Sequence, residues 1–291
     1  MHGFLLVDKA SGMTSPDVVA KMRKKFGTKR VGHAGTLDPM ATGVLVLGVG
    51  NATRLLQYVT DGSKEYDATI YLGASTHTDD REGEELSRAS AGDIAAITDE
   101  AIRSVLNSFV GTIKQRPSSV SAIKIDGKPA HQRIREGEVV DIPERTVTIS
   151  TITVHEIRHM DTHIEIDISV TCSAGTYIRA IARDLGASLH VGGHLISLRR
   201  TSVSPFSISE CVPLEEVELS PISAGISRIF PLREVDLVEI SEISFGRYLE
   251  ASPTSGLTAA VNSQGDFIAL LENKDISGKS LAAPILVAVK E

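Results

Sequence analysis

The chain contains no tryptophan, and aromatic residues make up only 4% of it, so any core has to be assembled mainly from Ile, Leu, Val and Ala. With 42% hydrophobic residues over 291 positions, that material suffices for one large domain or two smaller ones. Cysteine is equally scarce. Cys172 and Cys211 offer neither a disulfide framework nor metal-ligand spacing, and they read as free, largely buried thiols of a reducing cytoplasm. No window approaches the roughly 18 uninterrupted apolar residues of a membrane-spanning helix. The opening MHGFLLVDKASGMT has an acid at position 8 and no long apolar stretch, unlike a secretory signal. A cytoplasmic location and no membrane partner are therefore expected. A P-loop, a dinucleotide fingerprint and a Cys/His zinc constellation are all missing from the sequence. No metal and no organic cofactor are expected, and a reading as a DNA or free-nucleotide enzyme has little support.

Positive charge is in deficit overall, at −7 net, but it is unevenly spread. Residues 61–110 and 231–291 are acid-rich, whereas 1–60 is base-rich, most densely in KMRKKFGTKR at 21–30. An acidic protein still binds RNA when one face focuses positive potential. Lys21, Arg23, Lys24, Lys25, Lys29 and Arg30 are therefore candidates for phosphate contact, as are Arg199 and Arg200. Solvated surface charge is the competing reading of the same residues.

The apolar pattern predicts a helix over 15–26, capped by Thr14 or Ser15, with Pro16 in its first turn and Gly27 at its end. A glycine-rich loop opens the segment 31–45, and LVLGVG at 45–50 reads as a short strand. Further strands are predicted at 65–73, within 140–159 and 162–175, and near 195–206, with helices at 99–110 and 176–189. The polar stretch 75–85 reads as a loop. The basic, Pro- and Gly-containing stretch 112–143 reads as a surface excursion. From about 235 onward, short apolar runs broken by Gly, Asn and Pro predict a small, mostly β module. The class is mixed α and β.

Asp38 lies in GHAGTLDPMATG, among Gly32, Gly35 and Gly43. Asp-Pro alone is an ordinary turn dipeptide. Glycines this dense permit tight backbone paths and close ligand approach. The segment GHAGTLDPMATGVL closely resembles the catalytic motif of the TruB family of bacterial tRNA pseudouridine-55 synthases. The likeness continues in order through VDKASGMTS (7–15), GNATRLLQY (50–58), KEYDATIYLGASTHTDDREG (64–83), CSAGTYIRAIARDLG (172–186) and GGHLISLRR (192–200). It covers about residues 4–205 and is much weaker in the tail.

This resemblance implies an α+β fold: a mainly antiparallel pseudouridine-synthase catalytic domain over 1–234, with an RNA-binding insertion at 112–143, followed by a PUA-like, RNA-binding β module over 235–291. It implies isomerisation of uridine 55 in the T loop of tRNA, with the T arm as partner, no DNA and no obligate protein partner. Asp38 would be the essential carboxylate, engaging ribose C1′ or uracil C6; the residue types leave both open, and the resemblance favours a ribosyl or glycal-type path. Arg179 would hold that carboxylate ionised and oriented. Tyr66 would stack on the extruded uracil, and its hydroxyl could take part in removing the C5 proton. His33 would contact the tRNA loop and support extrusion, while Tyr177 and Leu198 would line the uracil pocket.

The sequence also departs from the family pattern. Where Pro-Pro-x-Tyr-Ser-Ala is common, this chain has Pro117-Ser118-Ser119-Val120-Ser121-Ala122. His131 replaces a common Tyr, Ala174 replaces a frequent polar or basic residue, and Ala10 replaces a proline. Two rival readings follow: a synthase of the same fold acting on another RNA or through guide-RNA proteins, and an RNA-binding or tRNA-folding protein with a vestigial pocket. The presence of Asp38, Tyr66 and Arg179 together opposes the second.

Overall fold

A computed structural model of the chain describes residues 1–118, 124–125, 128–129 and 142–288. Its centre is an 11-stranded, mainly antiparallel sheet. The strands Gly3–Lys9, Thr42–Val49, Gly193–Val203, Lys64–Leu72, Ile164–Cys172, Arg145–His159 and Gly111–Gln115 follow one another across it, with Val212–Pro213 outside the first. The junction between Thr42–Val49 and Gly193–Val203 is parallel. Only Arg199 and Arg200 pair there, with Thr42 and Gly43, so the two halves of the sheet separate beyond this point.

Alternation explains the second half. Tyr66, Ala68, Ile70 and Leu72 face a core completed by Ile164, Ile166, Ile168 and Val170 of the next strand, and the intervening residues face outward. Two helices cover the apolar face, inserting Ile102 and Leu106 from Asp99–Ser108 and Ile181 and Leu185 from Ile178–Ser188. In the first half, TGVLVLGV is apolar at consecutive positions because it is buried on both faces. Leu45 and Leu47 join the core just described. Val44 and Val46 enter a second core with Phe4, Phe206, Ile226, Phe267, Leu270 and Leu286.

That second core is where the C-terminal module meets the main sheet. The module is a five-stranded sheet of Leu232–Glu234, Leu257–Val261, Phe267–Ile276, Lys279–Val287 and Leu249–Glu250. Its parallel edge pairing with Leu257–Val261 recruits Leu232–Glu234, just ahead of the expected division at 235. The mostly β module also carries a helix, Leu237–Ser244, capped by Asp236.

The helix predicted over 15–26 spans Ser15–Lys25, with Thr14 as its cap and Asp17 completing a capping box. The segment 31–34, expected to open a loop, is instead a strand paired with Thr42–Val49; Val31 and Ala34 are buried there, and the glycine density masked that pattern. Within 75–85, Thr76 and Glu85 pair in a small ribbon of Ala74–Thr76 and Glu85–Arg88 rather than a plain loop. Most of 112–143, including Val120 and His131, lies outside the described residues. No described helix is long and apolar enough to cross a membrane. Cys172 is buried and Cys211 half-buried, and both thiols are free.

Candidate active site

The loop between the strands Val31–Ala34 and Thr42–Val49 carries Asp38, and the N-terminal motif holds it in place. The Lys9 ammonium is fully buried and donates to the carbonyls of Ala10 at 2.9 Å, Met13 at 2.7 Å and Pro39 at 3.3 Å. The Ser11 hydroxyl reaches the Met40 carbonyl, and the Gly12 N–H donates to the Pro39 carbonyl. Buried Ser15 accepts from the Leu37 N–H at 2.9 Å. Residues 37, 39 and 40, on both sides of Asp38, are thus fixed by residues 9–15. Gly43 then re-enters the sheet at φ 101°, where a Cβ would lie 2.2 Å from the Arg200 carbonyl, so only glycine permits the close parallel junction.

Arg179, in the first turn of Ile178–Ser188, meets Asp38 side-on. Its Nη2 donates to Oδ1 at 3.1 Å, and its Nε lies 3.0 Å from Oδ2. Its Nη1 donates to the Thr78 carbonyl at 2.7 Å and to Asp80 Oδ2 at 3.2 Å. The side chains differ in access: Arg179 is 4% exposed and Asp38 33%. The carboxylate is thus presented while its cation is hidden behind it. Burial raises the Asp38 pKa above its usual value, and Arg179 offsets only part of that rise. Asp80, buried on the far side of the guanidinium, was not singled out from sequence. Its cue was the acidic pair Asp79-Asp80 in a stretch read as a polar loop.

Asp38 opens on a cavity of about 290 Å³ that Tyr66, Tyr177, Leu198, Ala174, Lys64 and Arg200 help to line. Tyr66 is buried, which pushes its phenol up from the ordinary range. Lys64 donates to the carbonyls of Thr60 at 2.6 Å and Gly62 at 2.7 Å, and burial lowers its pKa to about 8. Neither Lys9 nor Lys64 drew notice as a single residue in the sequence, because lysine is usually a surface residue.

The remaining predicted residues divide. Arg200 is 1% exposed and donates inward, to the carbonyls of Val44 at 2.9 Å and Gly35 at 3.0 Å. It lines the cavity from within and is not the surface cation that its sequence context implied. Arg199, its neighbour, points the other way and grips both oxygens of Asp8, at 3.1 and 2.7 Å. His33 stands half-buried on its strand, outside the cavity lining, and burial lowers its pKa. Lys21, Arg23, Lys24, Lys25, Lys29 and Arg30 are all exposed. Among them, Arg23 donates to the Val31 carbonyl, and Lys25 to that of Val217. Of the departures, Ala174 lines the cavity, and buried Ser118 donates to the Thr78 carbonyl at 3.1 Å, beside Arg179.

A cavity lined by two tyrosines and a leucine as well as by buried cations, with one presented carboxylate, suits a planar ring attached to an electrophilic carbon. Comparison with known proteins agrees in kind. The family model described as TruB family pseudouridylate synthase (N terminal domain) matches residues 23–178. Two C-terminal models, of tRNA pseudouridylate synthase B and tRNA Pseudouridine synthase II, match 179–224 and 230–283. The chain is 50% identical over 285 residues to the tRNA pseudouridine synthase B of Corynebacterium diphtheriae, covering 96% of this chain and 94% of that one. It is 49% identical over 278 residues to that of Rhodococcus jostii, covering 94% and 90%. Among solved structures, an H/ACA RNP bound to a substrate RNA containing 2′-deoxyuridine aligns at a TM-score of 0.70 and 22% identity, over 99% of this chain and 85% of that one. A Cbf5-Nop10-Gar1 complex aligns at 0.66 and 24%, over 99% and 84%. At that identity the structures speak to the fold alone: an α+β, mainly antiparallel catalytic body with a β-rich, PUA-like module.

Proposed function

The chain belongs to the TruB family of pseudouridylate synthases, and from that premise we propose that it isomerises uridine 55 in the T loop of tRNA to pseudouridine, with Asp38 as the catalytic carboxylate. The observation that carries this reading is the Asp38–Arg179 pair, whose carboxylate faces the cavity and whose guanidinium is buried between Asp38 and Asp80. Substrate and product are isomers, so neither an oxidant nor a group donor enters the balance: the N1–C1′ bond breaks, uracil turns, a C5–C1′ bond forms, the C5 hydrogen leaves as a proton, and the freed N1 takes up a proton from solvent. Whether the carboxylate engages C1′ or C6, it must be ionised, and two points of contact with Arg179 favour that form against the cost of burial and fix its direction. Tyr66 and Leu198 offer the uracil apolar surface, with Tyr177 at the cavity wall. Tyr66 burial favours the neutral phenol, which supports a stacking role over one as a strong base.

A stacked T-loop uridine cannot reach this cavity, so the nucleotide is turned out of the loop at a cost of a few kcal/mol, recovered by stacking and backbone contacts. His33 and the exposed cations at 21–30 are assigned to tRNA contact; Arg199 is held by Asp8 and Arg200 by backbone carbonyls, so neither is assigned a phosphate. The catalytic domain is assigned to the chain up to about residue 231, with its insertion at 112–143, and the module that opens with the strand Leu232–Glu234 is assigned to tRNA contact. The enzyme acts alone in the cytoplasm, without a guide RNA. Purified protein and unmodified tRNA tritiated at uracil C5 test the reading directly. Release of one tritium per tRNA is expected from wild type and none from Asp38→Asn or from a U55→C tRNA. Tight binding without release by wild type would sink the catalytic assignment and leave an RNA-remodelling protein.

A further inference from the structure

The helix that presents Arg179 begins without a cap of its own. Its N-cap residue is Tyr177, which supplies no side-chain hydrogen bond to the N–H groups of the first turn. The backbone at this point nevertheless has to be exact. Tyr177 lines the cavity, and Arg179 two residues later aligns Asp38. The missing constraint comes from another strand. Gln115, at the end of Gly111–Gln115 and 1% exposed, turns its amide onto the Tyr177 main chain. Its Oε1 accepts from the Tyr177 N–H at 2.8 Å, and its Nε2 donates to the Tyr177 carbonyl at 3.0 Å. That carbonyl also accepts the first helical N–H, from Ala180 at 3.2 Å. A primary amide accepts and donates in one plane, so the two bonds fix the peptide on each side of Tyr177 as a neighbouring strand would.

We propose that Gln115 is a positioning residue for the isomerisation: it sets the start of the catalytic helix, and through it the placement of Tyr177 and the Arg179–Asp38 pair. The inference rests on the reading of the cavity as the uridine site. Next to Gln115 the same strand end is tied down twice more. The Arg116 carbonyl accepts from Arg183 at 2.7 Å, and Ser118 donates to the Thr78 carbonyl that also receives Arg179. The anchor at Gln115 is the one whose partner is the helix start itself. A misplacement of an ångström at reacting groups costs on the order of 100-fold in rate, and much less in affinity for a large substrate held elsewhere.

Two variants separate positioning from folding. Gln115→Leu keeps the bulk and loses both bonds. Gln115→Glu keeps the shape; when ionised it retains the acceptor and loses the donor, and when protonated it has both again. Tritium release at uracil C5, run under saturating and limiting tRNA, gives kcat and KM from pH 5.5 to 8.5. For Gln115→Leu the expected result is a fall in kcat of about 10- to 100-fold with KM within about threefold of wild type. For Gln115→Glu the ratio of its kcat to that of wild type rises at least threefold as pH falls across the range, because protonation restores the donor. Inactive wild type would defeat the uridine reading and with it this one. Active wild type, together with a Gln115→Glu ratio that stays flat with pH or a kcat within twofold of wild type throughout, would overturn the positioning role alone. If Gln115→Leu fails to fold, the pH dependence of Gln115→Glu still decides.

Discussion

The two faces of the central sheet use the same strands for opposite purposes. On the covered face, Lys64, Tyr66, Leu198 and Arg200 line the cavity, and all four are buried. On the open face, the residues between them and their neighbours form a half-exposed lattice. Asp67 accepts from Ser169 at 2.6 Å, Thr69 donates to Asp167 at 2.7 Å, Ser197 donates to Thr69 at 2.8 Å, and Arg199 holds Asp8. Charge on the first face is taken out of water and tied to backbone carbonyls; charge on the second is paired laterally and stays hydrated. A buried charge is costly unless every donor is met, so changes that strand the partners of the buried cations on the covered face should cost more stability than changes on the open face.

Asp38→Asn is the sharpest way to test the covered side, because activity and stability should move in opposite directions. Loss of the carboxylate is expected to lower turnover by on the order of 10⁴-fold or more, the scale seen when a reacting group is removed. The folded-state pKa of Asp38 is raised by burial. Between the ordinary carboxylate value and that raised value the native state holds the extra proton, so stability falls as pH rises through this window and stays lower above it. At neutral pH the variant should therefore melt at a higher temperature than wild type, and the gap should close as pH drops through the window. Thermal scans from pH 7 to pH 4 measure it. An Asp38→Asn protein less stable than wild type at pH 7 would mean that the Arg179 pairing outweighs the cost of burial.

The next effect compares neighbours. Arg200→Met strands the Val44 and Gly35 carbonyls beside the cavity and should cost about 3 kcal/mol. Arg199→Met breaks a half-exposed pair with Asp8 and should cost less than about 1 kcal/mol. Urea denaturation of the two variants decides whether the faces really differ. Equal losses would show that the Asp8 pair matters as much as the buried guanidinium.

These two arginines also show what could be read from the sequence and what could not. The family motifs placed Asp38, Tyr66, Arg179, Tyr177 and Leu198, and all five line one cavity. Adjacent arginines in GGHLISLRR looked like one basic patch, yet consecutive strand residues point to opposite faces, and the register that decides which goes inward is set by pairing with Thr42, Gly43, Tyr66 and Asp67. Asp80, Lys9 and Gln115 stayed hidden for a related reason. Each acts through a partner 30 to 100 residues away, Asp80 through Arg179, Lys9 through Pro39 and Gln115 through Tyr177, and no local pattern announces such a contact. The helix Ser15–Lys25 was legible because its cap, its first-turn proline and its apolar stripe all lie within a dozen residues.

The smallest predicted effect lies in the open lattice. Thr69→Val keeps the β-branched shape suited to a strand and removes one hydroxyl that donates to Asp167 and accepts from Ser197. Both partners remain within reach of water or of other groups, since Arg158 also pairs with Asp167. No buried polar atom is stranded, and the loss should stay within about 0.5 kcal/mol, with kcat and KM for uridine isomerisation unchanged within twofold. Because Thr69 sits only three residues beyond Tyr66, on the same strand, the measurement probes the face rather than the neighbourhood. A fall in kcat of tenfold or more, with the fold intact, would show that the open lattice reaches through the strand to set the position of Tyr66, and the division between a chemical face and a hydrated one would no longer hold.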